Sequence, residues 1–167
     1  MLELNQRISY GTTGVCVVER IEEKKIGREI KRYYVLKPVA QAGSTVFLPT
    51  DNQTLLAKVR NVLTADEVKK IITACKSEPD IWPESDAERR VKFNGIIASG
   101  DRKACLVLMR SLQNRQSVLS TCGKRLHMAD ERALKEAQRL VHDEFSIALN
   151  MKSDEIGSFL KAEIFGK

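Results

Sequence analysis

The sequence predicts an α+β protein in two parts, a β-rich N-terminal third followed by an all-helical bundle. Three observations carry this. Short runs of β-branched and aromatic residues, broken by glycine turns, fill residues 7–62. From Thr64 onward apolar residues recur instead at helical spacing. The boundary between the two regimes is marked by Thr64-Ala65-Asp66-Glu67, a helix-opening signature in which the Thr oxygen and the Glu carboxylate satisfy each other's backbone amides.

The first strands are Arg7–Tyr10 and Val15–Ile21, joined by Gly11-Thr12-Thr13-Gly14 as a hairpin turn. That turn lacks the following lysine and helix of a phosphate-binding loop. Ile30–Leu36 and Ser44–Pro49 form a second pair around a turn at Ala42-Gly43, and a short strand over Ala57–Val62 completes the set. Lys24 and Lys25 fall in the turn expected between the pairs. Strands this short and this closely spaced predict a small antiparallel barrel of SH3 or Tudor type for residues 1–62. Phe47 alternates with Val46 and Leu48, so if those two face the core, Phe47 faces out.

Residues 63–167 predict about five helices. Val68, Ile71, Ile72 and Cys75 make the apolar stripe of the first. Ser85-Asp86-Ala87-Glu88 repeats the capping signature and opens a second, with Val91, Phe93, Ile96 and Ile97, that stops at Ser99-Gly100. Asp101 caps a third, to about Asn114, whose Ala104–Met109 stretch is apolar nearly all round and therefore central; Lys103, Arg110 and Asn114 leave it one polar edge. The fourth runs from about Ala129 to Leu149, with Leu134, Ala137, Val141, Phe145 and Ala148 on one face. The fifth, Ser153 to about Ile164, presents Ile156, Phe159 and Leu160. Stripes of this kind are core faces.

The charge is uneven. Residues 89–125 hold nine Lys or Arg against the single acid Asp101, whereas the whole chain of 167 residues is only +6. The segment 77–88 just before has five acids and no base, and contains the only tryptophan, Trp82. Concentrated positive charge points to a polyanion partner, nucleic acid first; the alternative is a set of solvated helix faces.

Several classes are excluded. No nucleotide-binding, zinc-protease or serine-hydrolase motif is present, so no enzyme is expected. Two isolated histidines and four scattered cysteines (Cys16, Cys75, Cys105, Cys122) predict no metal, no cofactor and buried free thiols in a reducing, cytoplasmic compartment. No apolar run reaches the length of a membrane span and no secretory signal opens the chain, so neither a membrane nor a small-molecule substrate is expected as partner.

The order of motifs resembles the CarD/CdnL family of bacterial transcription regulators. It rests on Tyr10-Gly11-x-x-Gly14-Val15-Cys16-x-Val18, Ile21-Glu22-x-x-x-Ile26-Gly27, Tyr33-Tyr34-Val35-Leu36 and Thr45-Val46-Phe47-Leu48-Pro49-x-Asp51-Asn52, followed by Trp82, Arg89-Arg90, Ser99-Gly100-Asp101 and Gly123-Lys124-Arg125. The resemblance implies an N-terminal Tudor-like domain, shared with the transcription-repair coupling helicase, that docks on the β subunit of bacterial RNA polymerase. It implies a helical domain that reaches promoter DNA at the upstream edge of the melted bubble, through the minor groove and phosphates with weak sequence specificity, and so stabilises the open complex. The protein would then associate with the nucleoid through polymerase. By position, docking falls to Lys24, Lys25, Thr45, Val46 and Phe47, the wedge to Trp82, and phosphate contacts to Arg89, Arg90, Lys124 and Arg125. Two departures stand out: Phe47 occupies a place where some members are basic, and the Pro83–Ala87 region lengthens the segment after Trp82. The residues alone leave open a tether whose helical half binds another protein, in which Trp82 is core, and, more distantly, an RNA-binding protein.

Overall fold

A computed structural model describes residues 1–165. The chain divides into two compact units, Met1–Val62 and the part from Leu63 onward; the last two residues of the range 63–167 lie outside the described residues.

The first unit is a single five-stranded antiparallel sheet: β1 (Arg7–Tyr10), β2 (Gly14–Ile26), β3 (Glu29–Pro38), β4 (Val46–Pro49) and β5 (Val59–Asn61), in the order β4-β3-β2-β1-β5. No pairing joins β4 to β5 among the described residues, so the hydrogen-bonded sheet is open. Between those edges runs a short helix, α1 (Gln53–Leu56), capped by the Asn52 side chain, which accepts from the Leu55 amide at 3.1 Å. Ile8, Cys16, Val18, Tyr34, Leu36 and Leu48 form the core. Gly11 and Gly14 at the β1–β2 turn have φ of +47° and +89°, values that L side chains resist.

The sequence reading is corrected at β2. Lys24 and Lys25 do not form a turn; they lie within the strand, paired with Lys31 and Ile30, and the chain reverses at Gly27-Arg28. An irregularity in register lies between Val18 and Arg20, and past Tyr33, where β4 no longer pairs, the hairpin is a two-stranded arm, Glu23–Ile26 against Glu29–Arg32. The arm is highly charged, so composition conceals it. Its pairs include Glu23 opposite Arg32, an ion pair at 2.7 Å.

The second unit holds α2 (Ala65–Ser77), α3 (Asp86–Ser99), α4 (Arg102–Thr121), α5 (Met128–Leu149) and α6 (Ser153–Phe165). Both halves of the Thr64–Glu67 capping box form. At α3 only Ser85 acts, accepting from the Glu88 amide; the reciprocal bond from Glu88 is absent, and Val91 is 76% exposed rather than on the apolar face. The buried face of α3 is Arg89, Phe93 and Ile97, and Gly100 ends the helix at φ +72°. Helix α4 runs seven residues past the expected Asn114, because nothing between Arg115 and Thr121 breaks it before Gly123 at φ +69°. It is the central helix, with Cys105–Leu112 wholly buried.

Most of the polar edge of α4 is internal. The Arg110 guanidinium donates to the Cys75 carbonyl and pairs with Asp80 at 3.0 Å, Asn114 donates to Asp80 at 3.0 Å, and Lys103 pairs with Glu78 at 2.9 Å. Arg102 and Glu144 form a fully buried pair at 2.7 Å, and Glu144 also accepts the Leu63 amide at 3.0 Å. The basic block read from the sequence is therefore partly structural: Arg89, Arg102 and Arg110 are buried with acidic partners. Among the described residues no helix is long and apolar enough to cross a membrane.

Candidate functional site

Two surfaces gather the singled-out residues, one in each unit. In the sheet unit, Tyr34 and Leu48 face the core, so Tyr33 and Phe47 take the opposite face. Phe47 is 39% exposed and meets Tyr33 edge to face with ring centroids 6.3 Å apart. Lys24 Nζ lies 3.3 Å from the Phe47 centroid and 5.9 Å from that of Tyr33. Lys24 stands opposite Lys31, a like-charge pair, and the aromatic faces offer its ammonium a compensating partner. Lys25 is exposed further along the arm, Thr45 is exposed just before β4 and accepts from Lys37 Nζ at 2.7 Å, and Val46 is half-buried beside the core. Lys24 and Phe47 therefore come together as one aromatic-cationic patch on the face of an edge strand, with Tyr33 as a third member that the sequence did not single out.

In the helical unit, Trp82 is placed by a strap along α4. Asp80 takes the Arg110 and Asn114 side chains, and the Ile81 amide donates to the Ser111 hydroxyl at 2.8 Å. The half-buried indole packs on Phe93 with centroids 6.3 Å apart. Two guanidinium groups cover it: Arg89 at 4.4 Å and Arg115 at 4.9 Å from the ring centroid. A cleft of about 280 Å³ beside the ring is lined by Trp82, Arg89, Arg115, Lys124, Arg125 and His127, with Glu84 and Asp130 as its carboxylates.

Arg89 occupies this cleft as a strut. It is 5% exposed, and its donors go to Asp130 (3.3 Å), the carbonyls of Pro83 (3.0 Å) and Glu84 (2.9 Å), and Asp86. A guanidinium so committed has little left for a phosphate, so the role expected of it by position is not supported by its surroundings. Arg90 is exposed on α3 but is not part of the cleft lining. Lys124 and Arg125, exposed in the loop before α5, do converge on Trp82 from more than forty residues away. The residue missed by sequence reasoning is Arg115. Helix α4 places it: Ser111 anchors the strap, and position i+4 on a helix lies on the same face.

No other grouping offers chemistry. Among the described residues no three metal-ligating side chains gather. Three cysteines are buried, and burial pushes the Cys16 thiol up to about 11, which keeps it neutral; Cys122 is exposed, contrary to the expectation of four buried thiols. His142 is lowered from its ordinary value by burial, partly offset by Asp143, whose own carboxyl burial raises.

The first unit is thus a small sheet module with an exposed patch suited to docking on a protein. Residues 2–62, the whole of the sheet unit but Met1, match the family model of the CarD-like/TRCF RID domain, so the sheet unit is similar to that domain. Over nearly its whole length the chain is also similar to a Bacillus subtilis (strain 168) protein named "Putative transcription factor YdeB", with 24% identity over 166 residues that cover 95% of this chain and 99% of the relative. Both comparisons support a transcription-related role.

Proposed function

We propose that the protein is a non-enzymatic transcription factor that docks on the β subunit of RNA polymerase through its sheet unit and on promoter DNA through its helical unit. Docking uses the patch of Lys24, Phe47 and Tyr33 with the adjoining Lys25, Thr45 and Val46. The observation that carries the DNA half is the cleft itself: a partly exposed indole with Lys124 and Arg125 drawn in beside it from a distant loop. An aromatic surface backed by cations suits an unstacked base step and its flanking phosphates. Unstacking costs a few kcal/mol and least where the duplex is already melting, so the site favours the upstream edge of an open bubble over closed DNA. A ligand that prefers the open state shifts the equilibrium towards it, by about tenfold for a preference of ~1.4 kcal/mol. Phosphate contacts position the unit without reading bases, so sequence specificity is weak. The protein acts in the cytoplasm, on the nucleoid, wherever polymerase holds it.

The test is the lifetime of open promoter complexes with the wild-type protein, without it, and with Trp82→Ala. The proposal expects a lengthened lifetime that the variant loses while still binding polymerase. A variant that keeps the full effect removes Trp82 from the mechanism. A second reading, a tether whose helical unit binds a protein, is favoured by one observation, the burial of Arg89, Arg102 and Arg110, which leaves less free charge than the sequence promises. It expects polymerase binding with no change of lifetime.

A further inference from the structure

The two guanidinium groups on Trp82 differ in one respect that matters for binding. Arg89 is tied to two carboxylates and two carbonyls. Arg115 has no hydrogen bond or ion pair among the described residues, and its Nε is buried without a partner. A buried donor left unsatisfied carries a desolvation penalty and calls for an explanation, one of which is an accepting ion or ligand. The cleft it borders has four cations and two carboxylates; Arg89 and Asp130 pair with each other, which leaves Arg115, Lys124 and Arg125 against Glu84. The net field therefore favours an anion, and a planar guanidinium backed by an indole presents its fork to a tetrahedral oxyanion with little freedom to lose.

We infer that Arg115 is the phosphate ligand of this cleft and holds a nucleic-acid backbone phosphate beside the edge of the Trp82 indole. The inference rests on the reading of the helical unit as a DNA-binding surface and deepens it: Arg89, on the helix that follows Trp82, is the strut, and the residue that meets the phosphate comes from α4. Lys124 and Arg125 add charge at the rim.

The full-length chain is titrated with a forked DNA duplex over a series of salt concentrations, and separately with inorganic pyrophosphate, with Trp82 emission as the readout. As the only tryptophan in the chain, it reports on this site alone. Arg115→Gln is expected to lower the slope of log K against log salt by roughly one. Arg115→Lys is expected to restore the slope, with affinity below wild type because the planar stack is lost; it also serves if the Gln variant fails to fold. A residue that merely props the ring would weaken binding by the same factor at every salt concentration, and an unchanged slope overturns the inference. If the wild-type chain ignores the fork at every salt concentration, the DNA reading fails and the pyrophosphate arm decides Arg115. A saturable emission change that Arg115→Gln abolishes upholds the anion site, and no change overturns it.

Discussion

Both units set a cation against an aromatic ring, and the two arrangements differ in what holds the cation there. On the sheet, half-buried Lys24 lies over Phe47 with no carboxylate fixing it. In the helical unit, Arg89 lies over Trp82 with its donors fixed by Asp86, Asp130 and two carbonyls. An ammonium held on a phenyl ring without a carboxylate is worth about 0.5–2 kcal/mol, so a partner can displace it. A buried guanidinium whose partners would be left uncompensated cannot move at comparable cost. The sheet patch is therefore adaptable, whereas the indole has one fixed wall, Arg89, and one uncommitted wall, Arg115.

The largest expected effect breaks the fixed wall. Arg89→Ala strands Asp130 in a buried site and should cost the helical unit about 3–5 kcal/mol in urea denaturation. The neighbouring Arg90→Ala should stay within about 0.5 kcal/mol. Equal effects at the two positions would erase the distinction between strut and surface cation. Next comes Phe47→Ala, which should weaken polymerase binding about tenfold or more, as expected for an aromatic at the centre of an interface, while leaving thermal unfolding nearly unchanged. Lys24→Ala should remove only about 0.5–2 kcal/mol of sheet stability; a loss as large as that for Arg89→Ala would show that this cation is fixed after all.

The smallest effect concerns pH. His142 is lowered by burial in the folded state, so the unfolded chain binds more protons as pH falls through 6.5. Stability contributed by neutral His142 is thus present above that value and falls away below it. Asp143, raised by burial, works in the opposite sense, since the stability it contributes is present in acid and is lost as pH rises through its folded value. Denaturation midpoints of wild type and His142→Gln, compared between pH 7.5 and 5.5, should converge as the pH falls; parallel curves would remove His142 as a source of pH dependence.

The elements were legible where one force dominates. Period-two runs of apolar residues placed β1, the core halves of β2 and β3, and β4; the capping box at Thr64 placed α2; and the apolar run of α4 marked it as central. The β2 side of the arm beyond Ile21 was not legible, because its strands are held by cross-strand pairing such as Glu23 with Arg32 rather than by an apolar face. Nor was α1, whose four residues depend on a single Asn52 cap. At the cleft, the sequence singled out Trp82, Lys124 and Arg125 but could not distinguish Arg89 from Arg90. That distinction depends on Asp130, forty-one positions away. Arg115 went unnoticed for the same reason: what makes it notable is the absence of a partner, which no one-dimensional pattern records.

One bond described above also bears on how the protein is made. The Leu63 amide, at the very start of the helical unit, donates to Glu144, eighty-one residues later. During synthesis the sheet unit has all its strands once Val62 has left the ribosome, and its contacts are closed within sixty residues. The opening of the helical unit has no such local closure: its first amide waits until most of α5 has emerged, and so does the buried pair of Arg102 with Glu144. The N-terminal module thus has its whole sequence available on the nascent chain well before its helical companion can close this long-range contact.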